Sequence, residues 1–211
     1  MQSDEIQPKV WVAWFSVGCI AAATVLTFVG SWLTPDANMV ASTISDVAAG
    51  PYDWVQDSGF YILSAGLLAL AYGMYNLHTQ RWHWLAAIAT LPIMAVAVTV
   101  MGFYQEYGDG DHESGEIHIY LVYAFGFAFL ALLLLSIPHL MTHNSWWRPL
   151  NLWWLALWIA GAVYYFNMGT GYDGLVERAL GFAYLAWMFL LAWRLAIEGG
   201  SPWGKTAATT E

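Results

Sequence analysis

IHIYLVYAFGFAFLALLLLSI, Ile117 to Ile137, is the stretch on which the fold turns. Its 21 residues contain no Asp, Glu, Lys or Arg, and a single histidine stands at its start. Wound as an α-helix it would extend about 30 Å, the thickness of a bilayer's hydrocarbon core. The residues just before it are its opposite. Asp109 to Ile117 hold four acids and His112. An oily rod emerging from an acidic loop describes a membrane span meeting water.

The same alternation recurs along the chain. Apolar runs are expected to form helices at about 10–33, 58–78, 82–103, 117–137, 149–168 and 176–197. They are separated by TPDAN, HTQRWH, the acidic loop, PHLMTHNSWWRP and MGTGYDG. The chain is 59% hydrophobic and only 10% charged, where a soluble domain has about a quarter of its residues charged. The fold expected is all-α, a polytopic bundle of six transmembrane helices forming one domain over residues 1–211. Trp82, Trp84, Trp146, Trp147, Trp153 and Trp154 crowd the span ends, as an interfacial belt requires.

Composition also excludes classes. The runs are continuous, not the short alternating segments of an outer-membrane barrel. The first apolar run is too long and its leader too acidic for a cleavable signal, so it reads as an uncleaved anchor. Cys19 is the single cysteine, so no intrachain disulfide forms. A formal net charge of −9 argues against nucleic acid.

Basic residues orient the bundle. With both termini cytoplasmic, Lys9, Arg81, Arg148, Arg194 and Lys205 lie inside and Arg178 alone outside. The outer segments then hold eleven of the fifteen acids. This places the chain in a prokaryotic inner membrane as a multi-pass protein.

Arg178 breaks that asymmetry, and it stands in the first turn of its span, where the helix dipole opposes a cation. A cation near the membrane boundary needs an anionic partner or must snorkel outward. Asp46 and Asp57 come from segments that can reach it, and an anionic lipid headgroup is the other candidate. His118, at the start of its span, points into the bundle as ligand, proton carrier or hydrogen-bonded strut. The expected site is an outer polar cluster of Asp46, Asp57, His118, Glu177 and Arg178. Gly18, Gly66, Gly73 and Gly126 are the expected points of close helix contact.

Three blocks carry a family resemblance: ISDVAAGPYDWVQDSGF (Ile44–Phe60), GFYQEY…EIHIYLVYAFGFAF (Gly102–Phe129) and GLVERALGFAYLAW (Gly174–Trp187). They resemble the six-span bacterial and archaeal family called domain of unknown function 998 (DUF998). The first two are also similar to the DRAM/Frag/Sfk membrane family. Position by position, the resemblance points to Ser45, Asp46, His118 and the Glu177–Arg178 pair. It implies no established reaction.

The function expected is that of a membrane component that binds lipid, senses, or assists another membrane protein through the outer cluster. One alternative resembles the ceramidase-like hydrolases: zinc at Asp46, His112 and His118, with Ser45 beside it. Zinc needs three protein ligands and an open position for water. The only His-x-x-x-His pair, His139 and His143, falls at the far end of the span from Asp46. A second alternative is haem between His78, His83, His139 and His143. A third is a small transporter, with Pro92 and Gly161 as its mid-span interruptions. No cofactor is required by the sequence.

Overall fold

The computed structural model describes residues 8–35, 37–76, 81–104, 112–143, 147–169 and 171–197; the side chains of 8–9, 112–116 and 139–143 are outside that description. Most of the acidic loop, the two chain ends and His78 therefore lie outside it, as do the side chains of Lys9, His112, His139 and His143. Among the described residues the chain is entirely helical. Its elements are α1 (Pro8–Leu33), α2 (Ile44–Ala48), α3 (Asp53–Tyr75), α4 (Trp82–Met101), α5 (His112–His143), α6 (Trp147–Asn167) and α7 (Asp173–Ile197).

Five of these, α1, α3, α4, α5 and α7, are long and apolar enough to cross a membrane. The expected sixth span, now α6, is not among them. It is 21 residues long but carries Arg148, Asn151, Asn167 and six Trp or Tyr rings, whose polar edges lower its hydropathy. The expected helix ends also shift. α3 begins at Asp53 and α7 at Asp173, several residues before the apolar runs, because Asp53 and Asp173 favour a first helical turn. α5 reaches back into the acidic loop, to His112. The short helix α2 was not expected. Its start is a capping box: Thr43 Oγ1 accepts from Asp46 N at 2.9 Å, and Asp46 Oδ2 accepts from Thr43 N at 2.7 Å.

The six long helices form a closed ring in the order α1, α3, α4, α5, α6, α7, with α7 returning to α1. Neighbours run antiparallel. Gly30 faces Gln56 and Gly66 faces Cys19 across α1 and α3; Phe28 stacks on Phe182 and Trp14 meets Trp193 across α1 and α7. Asp46, Asp53, Asp57, Asp173 and Glu177 therefore gather at one end of the ring, and Arg81, Arg148 and Arg194 at the other.

The two halves of the ring are filled differently. Toward the basic end, Leu70, Met74, Trp84, Leu133, Trp147, Trp187 and Leu195 are fully buried and touch one another. Asn151 ties three helices there: its Nδ2 donates to Leu133 O at 2.9 Å and its Oδ1 accepts from Trp187 Nε1 at 3.1 Å. Phe129 sits higher, edge-on to Trp158, Tyr184 and Trp187. Above it the acidic half is hollow.

Of the four glycines expected at close contacts, Gly66 is one. A Cβ there would stand 2.8 Å from Cys19 Cβ, and the Gly66 carbonyl accepts from Ser16 Oγ at 2.9 Å. A Cβ on Gly73 or Gly126 would make only ordinary contact, and Gly18 faces open space. Among the described glycines the tightest approach is Gly174, where a Cβ would collide with the Ser42 backbone carbonyl.

Candidate functional site

The hollow half encloses a cavity of about 550 Å³ bounded by α1, α2, α3, α4, α5, α6 and α7. Its wall is mostly apolar: Ala23, Leu63, Val98, Phe125, Leu130 and Leu185 are typical. Polar groups collect toward the acidic end, where Ser45, Gln56, His118 and Glu177 face it. Leu130 lies twelve residues along α5 from His118, so the cavity extends about 18 Å down the helix. Phe127, Ile159, Val163 and Phe166, all exposed, carry its lining to the bundle surface on the α5 and α6 side.

Ser45 and His118 meet at the acidic end of this cavity. Ser45 Oγ is 2.9 Å from His118 Nε2, and His118 Nδ1 is 2.9 Å from Tyr104 O. Both side chains are buried, at 7% and 3% exposure. A carbonyl can only accept, so Nδ1 carries the proton of the neutral ring. Nε2 is then an acceptor, and the Ser45 hydroxyl must be the donor. The loop after α4 thus sets the tautomer of a histidine on α5, which in turn orients a serine on α2.

Glu177 secures α2 from the other side, its Oε2 accepting from Ile44 N at 2.8 Å. Asp46 is committed to the capping box, and Asp57 lies on α3 one turn before Tyr61. Among the described residues no three of His, Cys, Asp and Glu come together as a metal would need. Asp46 is engaged by Thr43 and both His118 nitrogens are hydrogen-bonded, while the side chain of His112, the third expected zinc ligand, lies outside the described residues. His83, of the histidines considered for haem, stacks edge-on against Trp82.

Arg178 lies apart from the cavity polar groups. α7 starts earlier than expected, which places Arg178 in its second turn at 6% exposure. Its guanidinium turns toward the loop between α1 and α2. Nη1 donates to the carbonyls of Met39, Ser42 and Gly174, and Nη2 to Ser31 Oγ at 3.1 Å. These described acceptors are neutral, not the carboxylates of Asp46 or Asp57. Leu175 N reinforces the join by donating to Val40 O at 2.9 Å. The five residues expected as one cluster, together with Ser45 from the resemblance, thus divide. Ser45, His118 and Glu177 line the cavity, Asp46 shapes α2, Asp57 lies on α3, and Arg178 fastens the loop that carries α2.

Two polar side chains facing the cavity were not singled out from sequence: Gln56 and Tyr184. Both are almost wholly buried, and neither Gln56 Oε1 nor the Tyr184 hydroxyl has a hydrogen-bond partner among the described residues. Their signal was a polar atom within a long apolar helix, which such a helix tolerates only against protein or a cavity. Gln56 and Tyr184 fall within the first and third blocks that carry the resemblance.

No curated protein and no solved structure matches this chain. The family model described as protein of unknown function (DUF998) matches residues 16–194, nearly the whole ring from α1 to α7. The cavity, the Ser45–His118 pair and the Arg178 fastening all fall within that match, and the chain belongs to the DUF998 family.

Proposed function

We propose that this protein is a six-span component of a prokaryotic inner membrane, both termini cytoplasmic, that holds one lipid-like amphiphile in its cavity. The observation that carries the binding reading is the pairing of an elongated apolar cavity with polar groups concentrated at its acidic end. Gln56 Oε1 and the Tyr184 hydroxyl add the chemical argument. A buried polar atom without a partner costs about 1–3 kcal/mol, and a bound ligand or water removes that cost. At about 550 Å³ the cavity is of ordinary ligand size, and its length suits an acyl or isoprenoid chain. Exposed lining on α5 and α6 gives such a chain a route from the bilayer.

The sixth span is supported by α6's pairings. Gly126, Leu133 and Tyr123 of α5 face Trp158, Asn151 and Phe166. Ala183 and Trp187 of α7 face Trp154 and Asn151. Those contacts run the length of α6 between two helices that qualify as spans, so α6 shares their depth. Its 21 residues cover about 30 Å. An engineered cysteine at position 110 is expected to react with a membrane-impermeant maleimide from the periplasmic side. Reaction only after the membrane is opened would overturn the orientation.

Native mass spectrometry of the protein released from mild detergent tests the ligand. The expected result is about one retained lipid per chain, as suits a single cavity of this size. Ala162→Phe, which adds a ring to the α6 wall, should lower occupancy several-fold while thermal unfolding stays cooperative. Equal retention in both proteins would remove the cavity as the binding place.

A further inference from the structure

We propose that Ser45 is a nucleophile and His118 its general base, so that the cavity is an acyl-transfer site acting on a long-chain carboxylic ester of a membrane lipid. The proposal rests on the lipid-binding reading and adds a reaction to it. It begins from the direction of one hydrogen bond. Because the Tyr104 carbonyl at 2.9 Å requires the proton on Nδ1, the neutral imidazole presents its lone pair at Nε2, and Ser45 Oγ lies 2.9 Å from that lone pair. This is the order of a nucleophile, a base and an orienting acceptor, with a backbone carbonyl in the third place. A hydroxyl within hydrogen-bond reach of such a nitrogen can lose its proton as it attacks.

The surroundings suit the same chemistry. Ser45 is held on the first turn of α2 by the Thr43–Asp46 capping box and by Glu177 at Ile44 N, so its position is fixed before any ligand enters. Both members of the pair border the cavity, with about 18 Å of apolar wall beyond them for an acyl chain. The unpartnered Gln56 amide oxygen faces the same space and can accept from the hydroxyl of a lipid headgroup or leaving alcohol. An amphiphile lying with its chain toward Leu130 and its ester at the acidic end would bring the carbonyl carbon toward Ser45.

The steps balance without any cofactor. Ser45 Oγ forms a bond to the ester carbonyl carbon as its proton passes to His118 Nε2. The carbon–oxygen bond to the alcohol breaks, and the leaving oxygen takes that proton. Water then attacks the acyl-serine, giving its proton to Nε2. The acid departs, and Ser45 recovers the proton. The net change is ester plus water to carboxylic acid plus alcohol.

The test is covalent capture. The full chain, purified in mild detergent, is treated with a long-chain alkyl fluorophosphonate, and the adduct is located by peptide mass mapping. A single adduct on Ser45 is expected. His118→Gln should slow its formation by about 100-fold or more, the low end of what a general base contributes. Ser45→Ala should abolish it. Mapping in the unaltered protein identifies the residue even if either variant fails to fold. Native mass spectrometry of the same preparation separates this proposal from the one beneath it. Retained lipid without Ser45 labelling overturns the nucleophile and leaves the lipid site standing. Labelling of a residue other than Ser45 also overturns it. Neither labelling nor retained lipid overturns both.

Discussion

Arg178→Leu is expected to lower the protein's stability by about 3 kcal/mol, the upper end for leaving hydrogen-bonding groups buried and unpaired. For a chain of this size that corresponds to a fall of roughly 6–12 °C in the midpoint of thermal unfolding in detergent. The cause is chiefly geometric, added to the attraction of the nearby Glu177 and Asp46 charges. Three carbonyls, those of Met39, Ser42 and Gly174, converge on Nη1, and Ser31 Oγ takes Nη2. No other described side chain donates to the carbonyls of Met39, Ser42 and Gly174 at once. Arg178→Lys should recover only part of the loss, since an ammonium has the charge and three donors but not the planar fork that reaches α1 and the loop together. Equal stability of the lysine variant and the unaltered protein would mean that the charge alone matters, as an interaction with lipid phosphate would give.

Gly174→Val is expected to be nearly as damaging, by about 2–3 kcal/mol, the cost of forcing extra carbons into a packed site. The obstacle is the Ser42 carbonyl, a backbone group, and Arg178 Nη1 stands 2.9 Å from the same point, so no flexible side chain can swing away. The loop at 39–42 has to lift, taking with it the hydrogen bond from Leu175 N to Val40 O. Because that loop leads directly into α2, lifting it should also displace Ser45 from His118. The measurement is thermal unfolding together with the rate of fluorophosphonate labelling at Ser45, both compared with Gly18→Val. Gly18 faces open space, so that substitution should leave both nearly unchanged. If the two valine variants behave alike, the loop is not seated against α7 as described.

These two results would explain why Arg178 tolerates a position that its charge disfavours. The sequence marks it as an anomaly, one base among the acids of its end of the bundle, and an anionic partner is the natural expectation. Its described acceptors are carbonyls at the start of α7 and in the neighbouring loop. Carbonyl oxygens carry partial negative charge and need no desolvated carboxylate, so several together can hold a buried guanidinium. The neighbouring acids also hold α2, Glu177 at Ile44 N and Asp46 in its cap.

The sequence by itself determined that the chain is a helical membrane protein of this family, because continuous apolar runs of bilayer length have few other solutions and local composition reports them directly. It also picked out Asp46, Asp57, His118, Glu177 and Arg178, since charged and polar atoms beside apolar helices are conspicuous, and the family resemblance added Ser45. It missed α2, whose five residues are too short to carry a period, and it missed the roles of Gln56 and Tyr184. Which polar groups meet was decided only by the tertiary structure. Ser45 and His118 are separated by 73 residues, and the Tyr104 carbonyl that orients the histidine is a backbone atom common to every residue type. The hollow above Phe129 is a difference in how six helices fill their ring, and such a difference belongs to the packed assembly and to no one segment.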